Sequence, residues 1–400
     1  MIYRVNPKNS TKISQLGFGC MRFPKKGIQI DQEKVDELIL YAFKNGVTHF
    51  DTAYIYPGSE EALGKALKKL NVRKDITIST KLPIFMCKKY DDFEKFFAKE
   101  LERLGTDYVD YYFMHMLCNK STWENLKSIG IEKWIDEKIK IGQIKNIGFS
   151  FHGGKRDFCE LVDSYDWDFC MIQFNYLDEN NQAGYSGLKY ANEKGLPVFI
   201  MEPLRGGLLA TKLPNDAKKE FKNFDTNRSF ASWGIRWVLN HKEVTCVLSG
   251  MNDMNQLQDN ISTASEIEAN KITDEEDVVY KNVVSYLNKT IKVPCTACGY
   301  CMPCPRGVDI PSCFATYNQT YTDRFRSGFF QYMQITGAIS TKQSDASRCV
   351  KCKKCEAHCP QSIKISEELQ NVQKRMHSKV VNPVMKIARK LLKLEEKDKS

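Results

Sequence analysis

The chain has 400 residues, 42 % of them hydrophobic, which is ample for a large core and excludes global disorder. Its net charge of +10 is moderate for that length. Lysines thicken only weakly toward KIARKLLK (386–393), as on a solvated helix face rather than a nucleic-acid or membrane contact. MIYRVNPKNS at the start lacks the apolar stretch of a signal peptide, and no run reaches membrane-spanning length. The expected location is therefore cytoplasmic, with no nucleic acid partner and no membrane insertion. In that compartment the fifteen cysteines point to metal sooner than to disulfides.

Short apolar runs come first and recur. LGFGC (16–20), VTHFD (47–51), ITIST (76–80), VDYYFMH (109–115), IKNIGFS (144–150), CMIQFN (170–175), PVFIME (197–202) and TCVLSG (245–250) read as strands apolar on both faces, as parallel strands covered by helices are. Helical patterns lie between them. In 31–46, Val35, Leu38, Ile39, Ala42 and Phe43 repeat at helical spacing, Asp31 is placed to cap and Gly46 follows the end. Further helices are predicted near 59–70, 91–104, 121–140, 155–164, 184–195, 226–241 and 253–264. Eight strand–helix units over about 250 residues predict an α/β fold, a closed (β/α)8 TIM barrel. A doubly wound open sheet is the alternative, weakened by the lack of G-x-G-x-x-G after the first strand.

Chemistry in such a barrel sits where the strands end. DTAYIY (51–56) leaves the second strand with Asp51 and Tyr56, the third strand ends in Lys81 and the fourth in His115. A strand-end Asp often caps the next helix, and a lone Lys or His is usually solvated or satisfied. Four titratable residues on three consecutive strand ends are harder to assign to structure alone.

These residues resemble the catalytic tetrad of the aldo-keto reductases, and the resemblance spans roughly residues 1–290. DTAYIYPGSE carries that family's Asp and Tyr, STK its Lys and FMH its His. Pro57-Gly58 is a departure, since the family usually has Gly directly after Tyr. The resemblance implies that Asp51, Tyr56, Lys81 and His115 are catalytic. It places Ser150, Gln173 and Asn175 at the nicotinamide. Pro203, Leu204, Gly206 and Gly207 fall in the segment over the coenzyme pyrophosphate. Ser249, Gly250, Met251, Gln256 and Asn260 fall in the segment that grips the adenosine end. A free phenol, with a pKa of about 10, donates a proton poorly near neutrality. A neighbouring ammonium, itself held by a carboxylate, favours the phenolate, so Tyr56 would be the general acid, Lys81 its tuner and Asp51 the anchor. His115, neutral, would orient the carbonyl oxygen. NADPH-preferring members place an Arg where this chain has Gln256. An amide lacks the charge and fork that hold a 2′-phosphate, so the coenzyme is NADPH or NADH. Met21, Phe23, Phe85 and Leu117 suggest an apolar pocket wall for a small carbonyl substrate.

CTACGYCMPCP (295–305) and CVKCKKCEAHCP (349–360) hold eight of the cysteines. Thiolates at C-x-x-C-x-x-C wrap one cluster, and the Cys before Pro reaches the other in two-cluster ferredoxins. The first run has two residues, Met302 and Pro303, before its last Cys instead of three. The interval 305–348 is longer than in compact ferredoxins, and YTDRFRSGFFQYMQIT within it reads as helical. The pattern resembles a helical 4Fe–4S dicluster module found after the barrel in one branch of aldo-keto reductases. That resemblance implies two clusters, one on Cys295, Cys298, Cys301 and Cys359, the other on Cys304, Cys349, Cys352 and Cys355. Zinc sites and a single cluster with spare cysteines are the alternatives. Cys313 lies outside the pattern. Cys20, Cys87, Cys118, Cys159, Cys170 and Cys246 are expected to be small hydrophobes.

The expected organisation is a barrel over 1–290, a mostly helical dicluster domain over 291–371 and a basic C-terminal helix or tail over 372–400. Two functions compete. One is NAD(P)H-dependent reduction of an aldehyde or ketone. The other is electron transfer between a nicotinamide and a redox partner protein through the clusters, which would normally need a flavin, for which no motif is recognisable. Neither substrate nor oligomeric state is legible.

Overall fold

A computed structural model describes residues 1–153, 155–322, 325–336 and 343–377. The chain divides into two compact units, Met1–Leu204 with Arg228–Asp274, and Arg205–Asn227 with the residues from Glu275 onward.

The first unit contains the barrel. Its strands are β1 Leu16–Gly19, β2 His49–Asp51, β3 Thr77–Leu82, β4 Tyr111–Met114, β5 Ile147–Phe151, β6 Phe169–Gln173, β7 Val198–Met201 and β8 Val244–Ser249. They pair in parallel in chain order, and β8 closes on β1. The closed ring settles the choice between barrel and open sheet. Strand side chains alternate, so every second residue points to the axis. Tyr111 and Phe113, Phe169 and Met171, Phe199, and Cys246 and Leu248 fill the interior as one cluster. A hairpin of Tyr3–Val5 and Lys12–Ser14 precedes β1.

Helices α1 Gln32–Lys44, α2 Ser59–Leu70 and α3 Tyr90–Leu104 follow β1, β2 and β3 as expected. Asp31 caps α1 by accepting from the Lys34 amide at 3.4 Å. The single helix predicted over 121–140 is two, α4 Lys120–Ser128 and α5 Ile131–Lys140. Gly130 sits between them at φ 92°, a left-handed turn that glycine adopts without steric cost. The apolar period runs through Trp123, Leu126, Trp134 and Ile135, all buried, and so masks the break. Helices α6 Lys155–Val162 and α7 Gly184–Glu193 complete the run to β7.

Sequence periodicity missed α8 Leu208–Thr211, α9 Asn215–Phe224 and α12 Asp274–Thr290, all largely in the second unit, while α10 Phe230–Leu239 and α11 Met254–Glu266 lie where predicted. The second unit continues with α13 Ile310–Thr322, α14 Phe325–Ile335 and α15 Ile365–Met376, so the 321–336 stretch is helical on both sides of an undescribed pair of residues. Val293, Ile310, Phe314, Tyr332, Ile365, Leu369, Val372 and Met376 form its core. Cys313, which lies outside the cysteine pattern, is fully buried in that core. Most of the expected C-terminal tail, residues 378–400 with KIARKLLK, lies outside the described residues. Among the described residues no helix is long and apolar enough to cross a membrane.

Candidate active site and cysteine loops

Asp51 ends β2 and Lys81 lies on β3, two positions beyond the Asp51–Ser79 register pair. Parallel pairing therefore sets the carboxylate beside the ammonium, and Lys81 Nζ meets Asp51 Oδ1 at 2.6 Å, both side chains almost wholly buried. Burying an ion pair is tolerable only where further hydrogen bonds satisfy its lone pairs and protons. They are present. Lys81 Nζ also donates to the Thr52 carbonyl at 2.6 Å, and Ser79 Oγ donates to Asp51 Oδ1 at 2.6 Å. Ser79 Oγ lies 3.2 Å from His49 Nε2, and His49 Nδ1 lies 2.8 Å from Thr77 Oγ1. Burial, with Lys81 adding to it, lowers the pKa of His49 to about 3, so the ring is neutral at physiological pH.

Tyr56 is half-buried, and its ring stands edge-on to His115 with centroids 6.1 Å apart. Lys81 Nζ is 5.5 Å from the Tyr56 ring centroid and 5.1 Å from that of Phe113. The Pro57-Gly58 departure is absorbed locally. Gly58 takes φ 73° and opens α2, while Ser59 N donates to the Tyr56 carbonyl at 3.0 Å. Burial first, then Lys81 and His152, hold the His115 pKa well below the usual imidazole range. The structure thus brings Asp51, Tyr56, Lys81 and His115 together. Sequence reading missed Thr52, Ser79 and His49. The last two were readable: Ser79 precedes Lys81 by two and His49 precedes Asp51 by two, so each pair shares a strand face.

The other expected residues divide between the units. Ser150 is buried and its Oγ accepts from the Met116 amide at 2.9 Å, in a turn where Met116 has φ 59°. Gln173 and Asn175 both donate to Asp178 Oδ2, at 3.0 and 3.2 Å. Asn260 Nδ2 donates to Ser249 Oγ at 3.0 Å, so β8 and α11 bring that pair together, with Met251 buried beside Gly250 in sequence. Gln256 is exposed, and its Oε1 accepts from Asn252 N at 3.2 Å. Pro203 and Leu204 end the first unit's segment after β7. Gly206 and Gly207, at φ 63° and 90°, sit in a tight turn of the second unit. Of the expected apolar wall, Met21 and Phe85 are exposed, but Phe23 and Leu117 are buried and serve the core.

In the second unit the cysteine loops share one backbone design. Ala297 and Gly299 lie two and four residues after Cys295, Lys351 and Lys353 two and four after Cys349, and all four have positive φ. These left-handed residues curl each loop around its thiols. Cys295, Cys298, Cys301 and Cys359 line a hollow with Ile310, Pro311, Phe314 and Ile363. Burial, then Cys295, Cys298 and Cys359, push the Cys301 thiol up to about 12. Burial, with Glu356, Cys304 and Cys349 adding to it, likewise raises Cys355 to about 11. Cys301 is thus influenced by Cys295, Cys298 and Cys359, and Cys355 by Cys304 and Cys349, while the apolar lining of the first hollow suits a cage held by thiolates.

Arg205, buried and at φ 48°, precedes the paired glycines, and its Nη2 donates to the Pro294 carbonyl at 3.5 Å, one residue before Cys295. Asn318 clamps the same approach, accepting from the Lys292 and Val293 amides and donating to Val293 O.

Comparison with known proteins agrees with this architecture. The aldo/keto reductase family model matches residues 15–276, and a 4Fe-4S dicluster domain model matches residues 294–364. The chain belongs to the aldo/keto reductase family of oxidoreductases and carries a C-terminal 4Fe-4S dicluster domain. It is similar to L-galactose dehydrogenase of Arabidopsis thaliana, with 27 % identity over 287 residues, 64 % of this chain and 86 % of the relative. It is also similar to glycerol 2-dehydrogenase (NADP(+)) of Saccharomyces cerevisiae, with 39 % identity over 197 residues, 47 % of this chain and 55 % of the relative. Among solved structures, an aldo-keto reductase of Bacillus halodurans in its holo form superposes with a TM-score of 0.58 at 24 % identity, covering 71 % of this chain and 96 % of that one. An aldo/keto reductase of Klebsiella pneumoniae in complex with NADP and acetate gives 0.57 at 19 % identity over 70 % and 94 %. At these identities the structural likeness speaks for the fold.

Proposed function

We propose that the chain reduces an aldehyde or ketone with a nicotinamide coenzyme, NADPH by preference, with Tyr56 as general acid. The observation that carries this is the buried 2.6 Å Lys81–Asp51 pair with the Tyr56 ring against both Lys81 and His115. The coenzyme supplies the hydride when bound. Tyr56 donates the proton to the carbonyl oxygen, and the Lys81 ammonium stabilises the phenolate left behind. Asp51, Thr52 O and Ser79 keep that ammonium in one place, so no reorganisation is required during the reaction. His115, neutral, offers a ring N–H to the carbonyl oxygen and orients it. Ser150, Gln173 and Asn175 take the nicotinamide, Pro203, Leu204, Gly206 and Gly207 the pyrophosphate, and Ser249, Gly250, Met251, Gln256 and Asn260 the adenosine end. The NADP named in the Klebsiella structure and in the yeast relative supports the choice of NADPH. A cytoplasmic location and a small carbonyl substrate belong to the same reading. Tyr56→Phe tests it: carbonyl reduction should fall by about two to four orders of magnitude while coenzyme binding holds. Reduction at the parental rate would remove Tyr56 from the chemistry.

The second reading, electron transfer to an external carrier, draws on one observation. The Arg205–Gly207 turn lies in the same compact unit as both cysteine loops and is tied to Pro294. We assign Cys295, Cys298, Cys301 and Cys359 to one cluster and Cys304, Cys349, Cys352 and Cys355 to the other. Such clusters supply one-electron chemistry when bound.

A further inference from the structure

Of the eight cysteines in the two loops, Cys352 is the one classed as exposed. Around it the chain sets an unusual surface. Lys351, Lys353 and Lys354 flank it in sequence, and all three are exposed. Arg306, one turn after Cys304, is exposed too, and its carbonyl accepts from Arg348 Nε at 3.1 Å, which places a second exposed guanidinium beside it. Among the described residues none of these five cations is in an ion pair. The nearby carboxylate, Glu356, is engaged by Ser366, accepting from its N and Oγ at 2.8 and 2.6 Å, and these bonds first, with Lys353 and Lys364 adding to them, lower its pKa. Exposed apolar side chains complete the patch, Val350 at 55 % and Met302 at 37 %.

The lysines are not there for the backbone. Lys351 and Lys353 have φ 57° and 59°, whereas the first loop meets the same requirement with Ala297 and Gly299. A β-carbon in that conformation costs on the order of 1 kcal/mol, and glycine avoids the cost. Exposed cations interspersed with exposed apolar side chains match a protein interface.

We propose that this face, Arg306, Arg348, Lys351, Lys353 and Lys354 around Met302, Val350 and Cys352, is the docking surface for a small acidic one-electron carrier protein. It rests on the reading of Cys304, Cys349, Cys352 and Cys355 as ligands of one cluster, because docking over an exposed ligand brings a partner nearest to that cluster. Complementary charge raises the encounter rate and fixes orientation, and exposed apolar residues at the centre provide what adhesion remains at high salt.

The test uses the full chain, reconstituted with iron and sulfide under anaerobic conditions, and an acidic flavodoxin as probe. Calorimetry at low salt should show binding that weakens at least ten-fold on raising ionic strength from about 0.02 to 0.2 M, since exposed charges are screened over about 10 Å at 0.1 M. Lys351→Glu with Lys354→Glu should weaken it at least ten-fold again, as should Arg306→Glu, which lies outside the second loop. Iron and sulfide contents should stay at the parental level in both variants, and Lys140→Glu on the barrel, the same change of charge as Arg306→Glu, should have no effect. Undiminished binding in both patch variants would overturn the proposal, as would displacement of the flavodoxin by a single-stranded oligonucleotide. Full retention of iron in Cys352→Ser would instead overturn the ligand assignment beneath it.

Discussion

In the barrel, Asp51, Lys81 and His115 come from three strands and meet because parallel pairing brings their ends to one rim. In the second unit, all eight thiols lie within two loops of about ten residues each, and contacts cross between the loops, Cys359 acting on Cys301 and Cys304 on Cys355. The first site is complete without its coenzyme: every charge in the Asp51–Lys81 pair already has a protein partner. The second is built for a group that must take the proton's place, since burial and mutual repulsion hold Cys301 and Cys355 protonated. Preorganisation by the fold and organisation by a ligand thus coexist in one chain, and they should fail in different ways.

The largest expected effect separates them in the barrel. Asp51→Asn leaves the Lys81 ammonium buried without its counter-charge, which typically costs about 3–5 kcal/mol, whereas replacing both members by apolar groups costs far less. Chemical denaturation should show Asp51→Asn/Lys81→Met more stable than Asp51→Asn alone. A double variant no better than the single would mean that Thr52 and Ser79 already compensate the charge.

Next comes the ligand-organised side. Cys352→Ser should lose iron and loosen the second unit, because metal binding and folding are coupled in small metal domains. Carbonyl reduction should persist while transfer from the coenzyme to a one-electron dye collapses. If iron analysis and both activities are unchanged, Cys352 is not a ligand, and the two sites are not independent in the sense argued here if both activities vanish with iron retained.

A smaller effect sharpens the coenzyme assignment. Gln256→Arg should tighten NADPH by roughly 1.5–3 kcal/mol through a new charge-assisted contact and leave NADH unmoved. Fluorescence titration with each coenzyme decides it, and equal changes would place residue 256 away from the 2′ position.

The smallest effect is in pH. His49 and His152, held by burial at about 3 and 4, and His115 and His241, lowered likewise, are harder to protonate folded than unfolded. The unfolded chain therefore binds more protons below about pH 6.5, and stability falls as pH drops from there toward 4. Glu60, Glu100, Asp110 and Asp168 are shifted up by burial and act in the opposite sense, favouring the folded state as pH falls. Histidines of the unfolded chain titrate near 6.5, within the range tested, and the expected balance is a net loss on acidification between pH 6.5 and 5. Urea midpoints measured across that range should decline, and a rise would mean the four carboxylates dominate.

Short runs apolar on both faces made all eight barrel strands legible, and strand-end polarity made the quartet Asp51, Tyr56, Lys81 and His115 legible, because both signals are local. Helices were legible where the apolar stripe had a cap, as at Asp31, and were lost where one stripe ran through a left-handed glycine, as at Gly130. Phe23 and Leu117 were read as pocket wall for want of a local sign separating an apolar residue that faces a cleft from one that faces the core.

By itself the sequence determined the two classes of chemistry, since the strand-end quartet and the C-x-x-C-x-x-C loops are patterns of type and spacing. It also determined the barrel, because eight buried strands each followed by a helix have few other ways to cover both faces. Tertiary structure alone decided that the Thr52 carbonyl completes the Lys81 site. It also decided that the 205–227 segment belongs with the cysteine loops and not with the strand it follows. Those outcomes depend on which distant surfaces bury one another, and burial is a property of the folded chain as a whole.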